Sequence, residues 1–289
     1  MQALRYARAT SIDEAVHMLR EGGETARVLA GGTDVIVQAR ERRRVIDLFV
    51  DIKHIPDVMK MTYDATDGLT VGAAVPLYQV YGDANVQRVY PALRSATHVI
   101  GGKAIQGRAS LGGNLGNASP AADSIPAMMA LDGVAQVAGP NGRREVRVDA
   151  FCTAPGRSVL EPGEFIVSLH FAQPAAHSGN AWERFIPRNE MDIAVVNAAC
   201  ALTLEGDVVT AARITLGAVA ATPLMVPLAA EALVGRRLTD ETIAAAGAAA
   251  KATATPIDDM RGTVKQRKHL ADVLVQRVIR AAAEHARAN

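Results

Sequence analysis

The sequence predicts an α+β protein built in two parts, and three observations carry that prediction. At 289 residues the chain is about twice the length of a typical single domain. Short apolar runs bounded by glycine, asparagine and aspartate alternate with helix-period segments up to residue 173. After a polar, small-residue stretch at Pro174–Asn180, two strand-like runs precede three helical ones, the order expected of an α+β domain. A boundary near residue 176 follows.

The elements can be justified in turn. Ser11-x-x-Glu14 is a capping-box pattern; Ile12, Ala15, Val16 and Leu19 behind it share one helix face, and Gly22-Gly23 closes it. Arg27–Ala30 is a short strand entering Gly31-Gly32-Thr33-Asp34, and Val45–Phe49 is a second strand. Val58–Val75 has the pattern of a hairpin turning near Asp67-Gly68. Tyr90–Ile100 is helical, followed by a polar, glycine-studded stretch from Gly101 to Ala122. Ser124–Leu131 predicts a short buried helix capped by Asp123 or Ser124, with Pro126 in its first turn. A hairpin around Pro140-Asn141-Gly142 and a strand at Glu164–Phe171 complete the first part. In the second, residues 193–204 and 208–219 are strands joined at Glu205-Gly206-Asp207. Helices follow near 226–235, 239–252 and 263–287.

Composition narrows the function. With 31 Lys+Arg against 30 Asp+Glu, the net charge of +1 argues against a nucleic-acid binder, which carries a basic excess. Two cysteines, Cys152 and Cys200, exclude a disulfide framework, a four-cysteine zinc site and a cysteine-ligated iron–sulfur cluster. Their apolar strand contexts predict buried, inert thiols. The seven histidines lack metal-ligand spacing, so no metal site is expected. No apolar run reaches the ~18 residues of a membrane span, and the N-terminal stretch does not resemble a secretory leader. A cytoplasmic protein is expected, in which the Asn117-Ala118-Ser119 sequon carries no glycan.

Two glycine-rich segments carry the chemistry. In LAGGTDVIV, residues 29–37, paired glycines allow a tight turn and the close approach of backbone N–H groups to an anion; a plain strand-to-helix turn is the other reading. In SLGGNLGNASPAADSIPAM, residues 110–128, Gly112, Gly113 and Gly116 crowd together beside Ser110, Asn114, Asn117, Ser119 and Asp123. Neither segment is GxGxxG or GxxxxGK[ST], so no Rossmann or Walker site is indicated. The basic run Arg40–Arg44 reads as a solvated surface on charge pattern, with contact to an acidic partner face as the sharper alternative.

LAGGTDVIV, followed about 80 residues on by SLGGNLGNASPAAD, resembles the FAD-binding medium subunit of the molybdenum hydroxylases, the xanthine dehydrogenase and carbon monoxide dehydrogenase type. The resemblance continues through ERFIPRNEMDIAVVNAACALTL (183–204), GAVAATP (217–223) and PIDDMRGTVKQR (256–267), spanning almost the whole chain in order. It implies a two-subdomain FAD-binding fold of the vanillyl-alcohol-oxidase (PCMH) type over 1–176, split near 55, followed by an α+β domain over 177–289. It also implies FAD contacts from Val28, Leu29, Ala30, Gly31, Gly32, Thr33, Asp34 and Val35, with the glycines, Thr33 and Asp34 near the pyrophosphate. Ser110, Leu111, Gly112, Gly113 and Asn114 form a second contact segment, and Ile100, Asp123 and Ile166 single contacts.

The resemblance also places Arg184 and Phe185 beside the flavin ring, where relatives usually carry Lys-Phe. An arginine there is a planar fork instead of a point charge; a solvated strand arginine is its plainer reading. Arg188 and Asp192 match positions that recur in the family, and a mutual ion pair bracing this segment is an equal reading.

The function implied is electron transfer. Reducing equivalents pass from a molybdopterin cofactor on a large subunit, through [2Fe-2S] clusters on a small one, to FAD here and on to NAD+ or another acceptor. The assembly is a heterotrimer or a dimer of heterotrimers, and this chain needs no catalytic acid or nucleophile. The low cysteine count puts every cluster on partner chains. Two other readings stand beside it: a flavin-binding assembly or regulatory protein without turnover, and a stand-alone flavin reductase of the same fold. The reductase requires a catalytic Ser and Glu in its C-terminal domain. Substrate binds elsewhere, so purine, N-heterocycle, aldehyde and carbon monoxide stay open, with Thr33 in the GGTD loop weighing against carbon monoxide.

Overall fold

In the computed structural model, which describes residues 4–289, three sheets follow one another along the chain. Residues 1–3, at the head of the stretch read as free of a leader, lie outside the described residues. The first sheet is parallel, in the order β1 (Arg5–Arg8), β3 (Leu48–Asp51), β2 (Ala26–Leu29). Helix α1 (Ile12–Gly22) buries Ile12, Ala15 and Leu19 against Leu48 and Val50, and Gly23 ends it at φ 57°. Its capping box is only half formed. Ser11 Oγ accepts from the Glu14 amide, but Glu14 accepts from the backbone and hydroxyl of Thr10. The strand read at Val45–Phe49 begins three residues later. Helix α2 (Val35–Arg40) leaves the first glycine loop, and α3 (Pro56–Met59) leads to the second sheet.

That sheet is antiparallel, ordered β4 (Met61–Asp64), β5 (Gly68–Gly72), β10 (Phe165–Ala172), β6 (Val134–Gly139), β7 (Gly142–Arg147). Six short helices lie between β5 and β6: α4 (Leu77–Gly82), α5 (Ala84–Val89), α6 (Pro91–His98), α7 (Lys103–Gln106), α8 (Leu111–Asn117) and α9 (Ser124–Ala130). The stretch from Gly101 to Ala122 is therefore partly helical, and the second glycine segment is itself α8. Glycines disfavour a helix by about 1 kcal/mol each relative to alanine, so close packing must offset them. At Gly112 an added Cβ would sit 2.5 Å from the Ala73 Cβ and 2.6 Å from its carbonyl oxygen. Here glycine permits contact with the sheet. A ribbon of β8 (Cys152–Ala154) and β9 (Arg157–Ser158) precedes β10.

The third sheet is antiparallel: β11 (Ser178–Phe185), β12 (Val196–Glu205), β13 (Val208–Gly217), β14 (Leu224–Met225). The stretch read as a linker to Asn180 thus already belongs to β11 from Ser178. Helices α10 (Pro227–Glu231), α11 (Asp240–Thr253) and α12 (Val264–Ala288) follow, and α12 lays Leu274, Val275, Val278 and Ile279 on the sheet. At Gly179 an added Cβ would meet the Ala282 carbonyl oxygen at 2.0 Å, so the alanine-rich end of α12 rests on strand backbone. None of the helices is long and apolar enough to cross a membrane, among the described residues.

Small side chains join the third sheet to the helices before it: Ala92, Ala96, Ala127 and Ala130 against Trp182 and Ala199. Asn180 stitches the same seam, its amide donating to the Val89 carbonyl and its oxygen accepting from the Ala92 amide, both at 2.9 Å. Cys200 is fully buried and Cys152 half-buried, and burial raises both thiols, Cys152 to about 11. That agrees with inert side chains.

Candidate functional site

A cleft of about 970 Å³ runs between the first two sheets, at the large end of the range for cofactor-sized sites. Its floor is made by the two glycine segments. Strand β2 delivers the chain into Ala30–Asp34, where Gly32 takes φ 79°, a conformation that favours glycine. Gly31 presses on the backbone just ahead of the other segment: an added Cβ would lie 2.0 Å from the Arg108 carbonyl oxygen. Two residues later Ser110 caps α8, its Oγ accepting from the Gly113 amide at 3.1 Å.

The cleft presents donors. The amides of Gly31, Gly32, Thr33 and Asp34 make no hydrogen bond among the described residues. The side-chain oxygen of Asn114 accepts from Ser124 Oγ at 2.6 Å, and that of Asn117 accepts from Gln38 Nε2 at 2.9 Å. Each asparagine therefore has its acceptor engaged and its NH2 free to donate. Arg27 and Arg44 stand in the wall and form no ion pair among the described residues. Arg27 bonds the carbonyls of Glu24 and Ala26, while Arg44 bonds that of Gly156 at 2.9 Å. Burial, then the neighbouring Arg44 charge, lowers the Arg27 guanidinium from its ordinary value.

Of the acids in the wall, Glu164 is engaged by Arg144 at 2.7 Å, and burial alone raises the Asp34 carboxyl. Free amides, two polarised asparagines and two unpaired guanidiniums suit an elongated, anion-bearing ligand. Helices α2 and α8, of 6 and 7 residues, add little by their dipoles; individual N–H groups are the donors. At Gly113 and Gly116 an added Cβ would meet only Ser110 Oγ at 3.1 Å and Ile166 Cδ1 at 3.9 Å. These two positions keep the face of α8 bare towards the cleft.

Thirteen of the sequence-predicted residues line it: Val28, Ala30, Gly31, Gly32, Thr33, Asp34, Val35, Ile100, Ser110, Gly112, Gly113, Asn114 and Ile166. Five do not. Leu29 turns into a small core with Ala39, Ile46 and Phe49, because strand alternation sends it to the face opposite Val28. Leu111 is fully buried under α8. Phe185 is partly exposed at the end of β11. Asp123 and Arg184 make a buried ion pair at 2.7 Å instead.

This pair corrects two readings. Asp123 does not cap α9, because its own backbone is already helical and its carboxylate makes no cap hydrogen bond. Nor is Arg184 solvated: only 7% of its side chain is exposed, and it also donates to the carbonyls of Val99 and Asp192. Burial pushes the Asp123 carboxyl up to about 7 despite the opposing arginine, and its Oδ1 has no hydrogen-bond partner. Arg188 and Asp192 approach to 3.7 Å across the next loop, in keeping with the second of the two readings of these residues.

Sequence reasoning missed the outer wall. Arg44 was legible only as part of a basic run, yet it reaches across to Gly156. Arg27 had a signal, a lone charge inside a short apolar strand. Ser124 and Gln38 had none, because their role lies in orienting asparagines 10 and 79 residues away.

Along almost its whole length the chain is similar to known proteins. The family described as "FAD binding domain in molybdopterin dehydrogenase" matches residues 2–174, and the "CO dehydrogenase flavoprotein C-terminal domain" matches residues 184–282. The xanthine dehydrogenase FAD-binding subunit of Escherichia coli O157:H7 is 30% identical over 95% of this chain and 94% of its own length. The carbon monoxide dehydrogenase medium chain of Afipia carboxidovorans is 30% identical over 98% of this chain and 97% of its own. A solved chain of carbon monoxide dehydrogenase from Hydrogenophaga pseudoflava superposes with a TM-score of 0.94 at 29% identity, covering 98% of both chains.

Proposed function

We propose that this chain, which belongs to the family of FAD-binding subunits of molybdopterin dehydrogenases, holds FAD in the cleft between its first two sheets and relays electrons through it. The observation that carries this reading is the set of unpaired amides at Gly31–Asp34 in a cleft whose wall also holds the NH2 groups of Asn114 and Asn117 and the guanidiniums of Arg27 and Arg44. Those amides and the NH2 groups of Asn114 and Asn117 would hold the pyrophosphate, with Arg27 and Arg44 supplying the balancing charge. Ile100 and Ile166 offer apolar contact to a ring. Bound FAD exchanges electrons singly or in pairs. The chain's own residues bind it, orient it and fix the charge around it.

In the complete pathway electrons come from [2Fe-2S] clusters on a small partner, reduced in turn by a molybdopterin centre on a large one, and leave to NAD+ or another acceptor. A heterotrimer, or a dimer of heterotrimers, in the cytoplasm is the form we expect. The substrate binds the large partner; Thr33 still argues against carbon monoxide. Residues 1–176 form the FAD-binding unit, and 177–289 a second unit that approaches the flavin end through Arg184 and Phe185.

Purified chain incubated with FAD should turn yellow, retain stoichiometric flavin through gel filtration and bleach with NADH in the presence of its partners. A colourless chain that binds no FAD overturns the proposal. Flavin binding without co-purifying partners or reduction favours an assembly role instead.

A further inference from the structure

We infer that Lys53 is a positioning residue that holds the first glycine loop in its donor-presenting shape, so that the pyrophosphate-bearing half of the ligand meets preformed amides. The inference rests on the FAD reading above and concerns a residue that does not itself line the cleft.

Lys53 lies two residues beyond the end of β3, the central strand of the parallel sheet, where loops at the carboxyl ends of strands build sites. Its Nζ donates to the Ala30 carbonyl at 2.8 Å, directly before Gly31-Gly32, and to Asp51 Oδ1 at 2.6 Å. Asp51 is in turn fixed. It is 4% exposed, and its Oδ2 accepts from Tyr6 Oη at 2.6 Å. Its Oδ1 also takes the Lys53 amide at 3.0 Å. Burial raises the Asp51 carboxyl, but hydrogen bonds from Lys53 and Tyr6 outweigh it and leave the group below its ordinary value. The three strands of the sheet thus each contribute: Tyr6 from β1, Asp51 from β3, and the Ala30 carbonyl from the end of β2.

The loop needs such an anchor. Its amides from Gly31 to Asp34 make no bond among the described residues, and two adjacent glycines give its backbone wide conformational freedom. Left untied, it would have to be ordered at the moment of binding, and that ordering subtracts from affinity. One ammonium gripping the carbonyl of Ala30 fixes the peptide plane that leads into Gly31. The amides then point into the cleft before any ligand arrives.

The test uses the full chain with Lys53→Met, Lys53→Gln and Lys53→Arg, titrated with FAD and with riboflavin, which lacks the pyrophosphate. Amide hydrogen exchange is followed at residues 30–35 of the apoprotein. Lys53→Met should weaken FAD about tenfold or more, the order of one charge-assisted hydrogen bond, and leave riboflavin within about twofold. Exchange at 31–34 should quicken, and Lys53→Arg should restore both readouts. Lys53→Gln, conservative at a partly exposed site, serves if the methionine variant does not fold. Unchanged FAD affinity in a variant overturns the inference, as does an equal loss for riboflavin. If the unmodified chain binds no FAD, the functional reading itself fails.

Discussion

The two glycine-rich segments look alike in sequence and do opposite things. At Gly31-Gly32 the backbone leaves regular structure, and its amides are exposed as donors. At Gly112, Gly113 and Gly116 the backbone is helical, and the missing side chains matter instead. One glycine there lets α8 touch Ala73, while the other two leave its cleft face bare. A shared residue type thus supplies freed hydrogen-bond groups together with one close approach in the first segment, and removed volume alone in the second. The family motif reads as a single cofactor-binding signature, but it is held together by two unrelated physical requirements.

The sharpest way to break this contrast is Gly31→Ala. The new methyl would stand 2.0 Å from the Arg108 carbonyl oxygen and 2.5 Å from its carbon, with no flexible side chain to give way. The two segments must part, so FAD binding should be lost outright, and thermal unfolding of the apoprotein should drop with it. Retained FAD affinity would mean that the donor geometry of the first loop is not what the ligand uses.

Asp123 tests how the second segment is tied to the C-terminal part. Its folded carboxyl lies near 7, above the ~3.9 of an unfolded aspartate, so the folded state binds the extra proton between those values. The sign follows: the favourable contribution is complete below about pH 4, declines as pH rises, and is gone once pH passes about 7. In Asp123→Asn that slope should vanish. Near pH 4 both proteins carry a neutral group beside Arg184 and should be about equally stable; at pH 8 the variant avoids ionising a buried carboxyl and should be the more stable of the two, by about 4 kcal/mol. Denaturant unfolding of both proteins from pH 4 to 8 reads both effects, and a parallel pair of curves would refute the assignment.

Where the outline of the molecule was legible in the chain, it was because the cause was local. The strands ending at Leu29 and Ala172, the hairpin at Asn141-Gly142 and the long last helix follow from periodicity and turn residues close at hand. Gly101–Ala122 looked irregular because glycines lower helix propensity, and what overrules them is contact with Ala73, some 40 residues away. Asp123 looked like a cap because aspartate before a helix usually is one. Its actual partner, Arg184, is 61 residues on. The cleft floor could be marked from motifs, whereas its orienting residues, Lys53, Gln38 and Ser124, act through contacts that no spacing announces.

Gly112→Ala and Gly113→Ala, one residue apart in the same helix, separate the roles within the second segment. Both gain helix propensity, about 1 kcal/mol. At position 112 the methyl collides with Ala73 backbone and side chain, and overpacking of that kind costs about 1–3 kcal/mol. The net change should be a loss of stability, with FAD binding weakened only as far as the fold is. At position 113 the methyl meets Ser110 Oγ at 3.1 Å and otherwise points into open cleft. The apoprotein should be as stable as before or slightly more so, while FAD binds about tenfold more weakly because the methyl takes the space of its closest approach. Unfolding midpoints of the two apoproteins set against their flavin affinities give the answer. If Gly113→Ala loses stability and keeps FAD, the bare face of α8 is a packing surface, and the two glycine segments are more alike than they look.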